Sequence, residues 1–272
     1  RVALDQISTL RVIGAGKATA AMAQAAEVIL GERIDAGAIN TKYDHALPLE
    51  HIETFEAGHP IPDEAGVAGA QRQLELLAGL DANAVVIALF SGGGSALLPA
   101  PAPGISLADK QEATRQLLAC GATIDQINAL RKHLSAAKGG LLARAAAPAQ
   151  ICALMLSDVI GDPLDTIASG PTHPDSTTFA YCLELIDRYD LRQQLPASVR
   201  QRFEAGAGGT LPETPKPGDP CFADSVSLVV GNSSLAIDAA AAQARAQGYE
   251  VLVLTSRLQG EAREAAAALT AA

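Results

Sequence analysis

Three short segments carry residue types suited to handling phosphate. The first, Gly14-Ala15-Gly16-Lys17-Ala18-Thr19, follows an apolar run and opens an Ala-rich helical pattern. Its glycines allow a sharp turn and close approach to a ligand, the helix start offers N–H groups to an anion, and Lys17 adds a positive charge. It is not a Walker A loop, because Ala18 follows the lysine. Nor is it a complete dinucleotide fingerprint: Thr19 stands in place of the third glycine, and the next strand ends at Asn40-Thr41-Lys42 without a ribose-binding acid. A structural turn bearing a solvated lysine is the plainer alternative.

The second segment, Ser91-Gly92-Gly93-Gly94-Ser95-Ala96, follows the apolar run 84–90 directly. Three glycines between two hydroxyls form a nest for phosphate oxygens, and no Gly-x-Ser-x-Gly elbow is present. The third, Ser157-Asp158-Val159-Ile160-Gly161-Asp162-Pro163, runs on to Ser169-Gly170-Pro171-Thr172. Asp158 and Asp162 at a strand end suit Mg²⁺, which takes one or two carboxylates together with water and substrate phosphate. The same aspartates also fit ordinary turn or capping roles.

The segment Asn128–Gly140 holds the densest basic cluster of the chain, Arg131, Lys132 and Lys138. Arg131 and Ser135 share a helix face, and such a cluster can neutralise a phosphoryl group or a carboxylate. Lys132 is expected on the solvated side, and His133 is expected to pack. Two weaker candidates are Gly58-His59-Pro60-Ile61-Pro62-Asp63, with Asp63 as an N-cap, and Gly231-Asn232-Ser233-Ser234. In the latter, Asn232 could bind a ligand while a serine caps the next helix.

These loops need a scaffold. Strand-like runs at 10–13, 36–40, 84–90, 150–156, 226–230 and 250–254 alternate with helical patterns at 17–30, 64–80, 107–119, 125–135 and 235–247, and 52–57 reads as a peripheral strand. Apolar strands separated by helices predict an α/β, doubly wound, mostly parallel sheet with helices on both faces, Rossmann-like. Ligands bind such sheets at the carboxyl ends of the strands. Residues 195–224 are rich in Gly and Pro and read as a surface connection. The expected domain is therefore 1–224, followed by a strand–helix–strand–helix unit at 225–272 that begins or leads to a second, smaller α/β domain.

The 272-residue chain has a formal net charge of −10, and 3% of its residues are aromatic. Both features disfavour a nucleic-acid partner, which needs a basic field or stacking platforms. Its apolar runs are too short to span a bilayer. The four cysteines, Cys120, Cys152, Cys182 and Cys221, form no CxxC pair and read as free thiols in a reducing cytoplasm. Beginning at Arg1 and stopping at Ala272 inside a helical pattern, the chain reads as trimmed at both ends.

The ordered motifs resemble a known family. Gly14-Ala15-Gly16-Lys17-Ala18, Thr41-Lys42-Tyr43, Ala57-Gly58-His59-Pro60, Ser91–Leu97, Leu130–Ser135 and Lys138-Gly139-Gly140 occur in order. Leu156–Asp162, Ile167–Thr172 and Gly231-Asn232 continue the series. The succession is similar to the class II glycerate 2-kinases (the MOFRL type, sometimes called hydroxypyruvate reductases) and covers nearly the whole chain. The resemblance implies ATP- and Mg²⁺-dependent conversion of D-glycerate to 2-phosphoglycerate in a cleft between two domains. The family's C-terminal domain carries Gly-Arg-Gly-Gly-Arg-Asn-type and Thr-Asp-Gly-type segments, and neither occurs here. Many relatives also read Gly-Asn-Asn where this chain has Gly231-Asn232-Ser233.

On this reading Lys17 and Arg131 are catalytic, through charge stabilisation of the transferring phosphoryl group. Ser91, Gly92, Gly93, Gly94, Ser95 and Asn232 bind the nucleotide, Gly16, Lys138 and Ser169 bind glycerate, and Asp158 and Asp162 hold Mg²⁺. Glycerate is the expected small-molecule partner; nucleic acid and membrane are not expected, and self-association into a homo-oligomer stays open. Two rivals remain: an NAD(P)H-dependent hydroxypyruvate reductase, and a non-catalytic nucleotide- or sugar-phosphate-binding regulator.

Overall fold

Six strands pair side by side, all parallel: β1 (Leu10–Ala15), β2 (Ala36–Lys42), β3 (Ile52–Ala57), β4 (Val85–Phe90), β5 (Gln150–Leu156) and β6 (Ser225–Gly231). This computed structural model describes residues 6–258 and 260–271; Arg1 and Ala272, on which the reading of trimmed ends rests, lie outside them. The strand order is β3-β2-β1-β4-β5-β6, so the chain reverses its direction of winding between β1 and β4. That switch point is where a doubly wound sheet opens a crevice beyond its strand ends. Ala15 pairs with Phe90 at the carboxyl ends of these two strands, so the loops that follow them leave the sheet together.

Alternate residues of the central strands feed two cores. Ile13, Val86, Phe90 and Met155 point to one face, and Val12, Val85, Leu89 and Ile39 to the other. Helix α1 (Thr19–Leu30) covers the second face through Ala20 and Ala23. Helices α2 (Glu64–Leu77) and α6 (Leu141–Ala146) cover the first through Ala70, Leu77 and Leu142. Asp63 caps α2 as expected, accepting from Gly66 N at 3.0 Å. The short α3 (Gly94–Leu97) follows the glycine loop directly.

A third apolar cluster lies off the sheet. It joins α4 (Leu107–Ala119), α5 (Ile124–His133), α7 (Phe179–Arg188) and α8 (Ala197–Ala207) through Leu117, Leu130, Phe179 and Phe203. Helix α8 lies inside the segment expected to be a surface connection, and its Val199 and Phe203 are fully buried. The Gly and Pro residues that suggested a loop begin only in the last turn of the helix, at Gly206, and they masked the apolar spacing of Val199 and Phe203.

Two further expectations change at the C-terminal end. Residues 250–254 form no strand. Strand β6 is half-buried on one face, with Val226, Leu228 and Val230 about half exposed on the other. Helix α9 (Ser233–Ala246) follows it, and α10 (Ala262–Ala271) lies near the end of the chain. No helix among the described residues is long and apolar enough to cross a membrane.

Candidate phosphate-handling site

The loops after β1 and β4 are stitched to each other. Lys17 N donates to Gly92 O at 2.9 Å, and Ala18 N donates to the buried Ser91 Oγ at 3.0 Å. Gly16 N donates to Asn40 O, and Thr19 N to Gly16 O. The N–H groups of Gly16, Lys17, Ala18 and Thr19 are thus engaged by protein, so the turn itself does not offer them to an anion. Gly16 is buried, and a side chain there would collide with Ser91 Oγ. It therefore packs two loops together and offers no surface to glycerate. Ser91 has the same structural duty, so its hydroxyl is withdrawn from the nucleotide-binding role expected for it.

The donors that remain are fewer and better defined. Gly94 N is engaged by Ser91 O at 3.1 Å, whereas among the described residues nothing accepts from Gly92 N or Gly93 N. Gly93 adopts φ +85°, the left-handed region that a side chain rarely tolerates. A Cβ built there would stand 2.9 Å from the ring of His59 and 3.3 Å from Lys17 Cε. The exposed Lys17 side chain and His59 therefore flank the nest formed by Gly92 and Gly93. Burial and the nearby Lys17 and Lys42 hold His59 below the usual imidazole pKa, partly offset by Asp158.

Asp158 is exposed beside this nest and lines the same cavity. Asp162 is not brought to it: Asn232 Nδ2 donates to its Oδ2 at 2.6 Å, while Asn232 Oδ1 accepts from Leu235 N and caps α9. Asn232 lies in a shallower recess shared with Ser157, Asp158 and Gly231. Among the described residues, no group of three or more His, Cys, Asp or Glu side chains is arranged to hold a metal ion by itself. One carboxylate beside free N–H groups fits Mg²⁺ delivered with a nucleotide, because that ion draws most of its ligands from phosphate and water. A second carboxylate from Asp162 is not positioned for it.

The basic segment divides by function. Lys132, expected to be solvated, is buried; its Nζ lies 3.3 Å from Asp175 Oδ1 and 3.5 Å from Asp165 Oδ2. His133 is buried against Phe179, as expected, and its Nε2 lies 3.0 Å from Glu213. Arg131 faces the cavity instead, and burial lowers its pKa. Lys138 is almost fully buried, and its Nζ donates to Ser95 O at 2.8 Å. Burial, with Lys110 and Arg131 nearby, holds Lys138 well below the usual lysine value.

Ser169 lies on the same wall. Its hydroxyl is 2.9 Å from Ser95 Oγ and donates to Asn128 Oδ1 at 3.2 Å. It sits in a run of left-handed residues, Ala168 at φ +51°, Ser169 at +64° and Gly170 at +59°. Non-glycine residues in that region are uncommon and tend to mark functional sites.

His59, Gly92, Gly93, Arg131, Lys138, Asp158 and Ser169 line a cavity of about 830 Å³ opening between the switch point and the α4–α5 helices. Lys110 of α4 also reaches it and was not singled out from the sequence. The available signal was its place on the buried stripe formed with Ala113 and Leu117.

The family model described as "Domain of unknown function (DUF4147)" matches residues 1–204. A provisionally named hydroxypyruvate reductase of Agrobacterium vitis is 46% identical over 93% of this chain and 56% of its own length. A protein of Thermotoga maritima named D-glycerate 2-kinase is 41% identical over 93% of this chain and 58% of its own. The crystal structure of a Thermotoga maritima glycerate kinase superposes with a TM-score of 0.85 at 39% identity, covering 97% of this chain and 61% of that one. The chain thus spans rather more than half the length of these relatives. With the switch-point loops, the ordered motifs and the match over residues 1–204, the chain belongs to the DUF4147 family, that of the class II glycerate 2-kinases.

Proposed function

We propose that this chain forms the nucleotide- and acid-binding lobe of an ATP-dependent D-glycerate 2-kinase, yielding 2-phosphoglycerate and ADP. The observation that carries the reading is the pair of free N–H groups on Gly92 and Gly93, bracketed by Lys17 and Asp158 at the switch point. Phosphoryl transfer requires positioning and charge stabilisation rather than a nucleophilic side chain. Gly92 N and Gly93 N hold phosphate oxygens, and Lys17 offers its ammonium to the charge that develops on the transferring group. Asp158 would hold Mg²⁺, which would neutralise phosphate charge when bound. The relatives' names support kinase chemistry for this lobe.

The name of the Agrobacterium vitis relative raises the reductase alternative. Against it, the end of β2 carries Asn40, buried and engaged with Gly66 O at 2.8 Å and Leu97 O at 2.6 Å. A dinucleotide's ribose would need an acid there. ADP release measured across small hydroxy acids tests the proposal: D-glycerate should be the preferred acceptor and release should require Mg²⁺. Binding of ATP with no acceptor-dependent ADP release would favour a regulator instead.

A further inference from the structure

We propose that Lys110, together with Lys138 and Arg131, forms a separate anion pocket at the α4–α5 end of the cavity, that it takes the carboxylate of the acceptor acid, and that the acid binds together with a proton. The proposal rests on the kinase reading for the identity of the acid, but its geometry is independent of that reading.

Lys110 and Lys138 are 5% and 1% exposed, yet both line the cavity. Lys110 Nζ donates to a single acceptor, Ala100 O at 3.2 Å; Lys138 Nζ reaches Ser95 O at 2.8 Å and Ala168 O at 3.5 Å. Among the described residues, no carboxylate forms an ion pair with Lys110, Lys138 or Arg131. Burying cations without counterions is costly, so the empty site disfavours their charge, and an anion entering the cavity supplies the missing counterion. The adjacent Lys132 shows the contrast: it is equally buried but paired with Asp175 and Asp165.

Lys17 and Asp158 belong to a different charge group. They flank His59 and the Gly92–Gly93 nest, whereas the charged groups facing Lys110 are Arg131 of α5, Arg202 of α8 and Lys138. One charge group beside the Gly92–Gly93 nest and another inside the cavity match a reaction with two anionic substrates, nucleotide phosphate at the nest and the acid's carboxylate against the lysines. A carboxylate is the smaller anion and fits the more enclosed cations.

Burial, then Arg131 and Arg202, lower Lys110 to about 7. At pH 8 its amine is therefore largely neutral in the empty site. An incoming carboxylate favours the ammonium, so the complex draws a proton from solvent onto Lys110. At pH 6 Lys110 already carries its proton, and its contribution disappears.

The experiment is calorimetric titration of the protein with D-glycerate at pH 8 and pH 6, in buffers of different ionisation enthalpy. The expected uptake at pH 8 is about one proton per glycerate, clearly reduced at pH 6. Lys110→Met should lose most of that uptake and about tenfold or more in glycerate affinity, while its ATP affinity stays within about twofold. Glycerate binding with no buffer-dependent heat, or with unchanged affinity in folded Lys110→Met, overturns the pocket even if the protein turns over as a kinase. Proton uptake and Lys110 sensitivity on titration with ATP alone would overturn it differently, by making the pocket's occupant a nucleotide phosphate. A failure of the kinase reading would show separately, as glycerate- and ATP-binding protein that releases no ADP.

Discussion

The Asp158 carboxylate occupies the space that a side chain on Gly92 would need: a Cβ built there would stand 2.9 Å from Asp158 Cγ, with Oδ2 nearer still. The nest N–H and the carboxylate are therefore one geometric unit. Gly92→Ala should displace Asp158, which is exposed and free to move, at little cost to the fold. The expected result is a shift of about tenfold in the Mg²⁺ concentration for half-maximal activity, the scale seen when a supporting contact at a metal site is lost. Thermal melts should change little. An unchanged metal titration would remove Asp158 from the metal's environment.

The two candidate metal aspartates should behave differently. Asp158→Asn should impair both activity and Mg²⁺ dependence. Asp162→Asn should instead loosen the hold of Asn232 on the start of α9, since Asp162 accepts from Asn232 Nδ2 at 2.6 Å. That effect belongs to stability, about 1 kcal/mol, and should leave the metal titration alone. Parallel metal titrations and melts of both variants decide the matter; equal metal effects would contradict the geometry.

Asp175 anchors the helical annex. It is fully buried, pairs with Lys132 at 3.3 Å, and accepts from Thr177 Oγ1 at 2.8 Å and Thr214 Oγ1 at 2.9 Å. Burial pushes its carboxyl up, but Lys132, Thr177 and His133 outweigh that and leave it below the usual aspartate value. A depressed carboxyl contributes stability that is present above about pH 4 and lost as pH falls through its folded value. Asp175→Asn should destabilise the protein by about 3–5 kcal/mol at neutral pH, because Lys132 loses its buried counterion. The variant's deficit should shrink below pH 4. Denaturant melts from pH 3 to pH 7 measure both effects.

Lys110 has the opposite effect on stability. With a folded value near 7 against about 10.4 when exposed, its amine refuses a proton that the unfolded chain accepts between those limits. Wild-type stability from this group therefore falls as pH drops from about 10.5 to 7 and levels off below. Lys110→Met should be more stable than wild type at pH 7, by up to a few kcal/mol, with the gap closing towards pH 10. Paired melts at the two pH values check the sign; a gap that widens at high pH would contradict it.

The residue pattern made much of this architecture legible. The apolar runs 52–57 and 150–156 coincide with β3 and β5, and the helical spacing 107–119 coincides with α4. The glycine loops also emerged, because runs such as Gly92–Gly94 have no purpose in a plain connection. Hydrogen-bond destinations were not legible, since they depend on strand order. Once β1 and β4 are neighbours, Ser91 turns onto Ala18 N and Gly92 O onto Lys17 N, which takes those two N–H groups away from an anion. Burial of Lys132 and Lys110 was equally hidden, because each depends on helices that pack from distant segments. Helix α8 was missed where local Gly and Pro content outweighed two well-spaced apolar residues.

The most direct test of the central claim is phosphorus NMR of the reaction products, with D-glycerate, ATP and Mg²⁺ as substrates, for wild type and Lys17→Ala. The geometry predicts stoichiometric 2-phosphoglycerate and ADP from wild type. It also predicts a rate at least about a hundredfold lower from Lys17→Ala, the scale of removing one preorganised charge from the transition state, with an unchanged melting temperature because Lys17 is exposed. Undiminished product formation by folded Lys17→Ala would contradict the role of the switch-point loops. Absence of any phosphorylated acid from wild type, alongside hydroxypyruvate-dependent oxidation of a nicotinamide cofactor, would contradict the kinase reading itself.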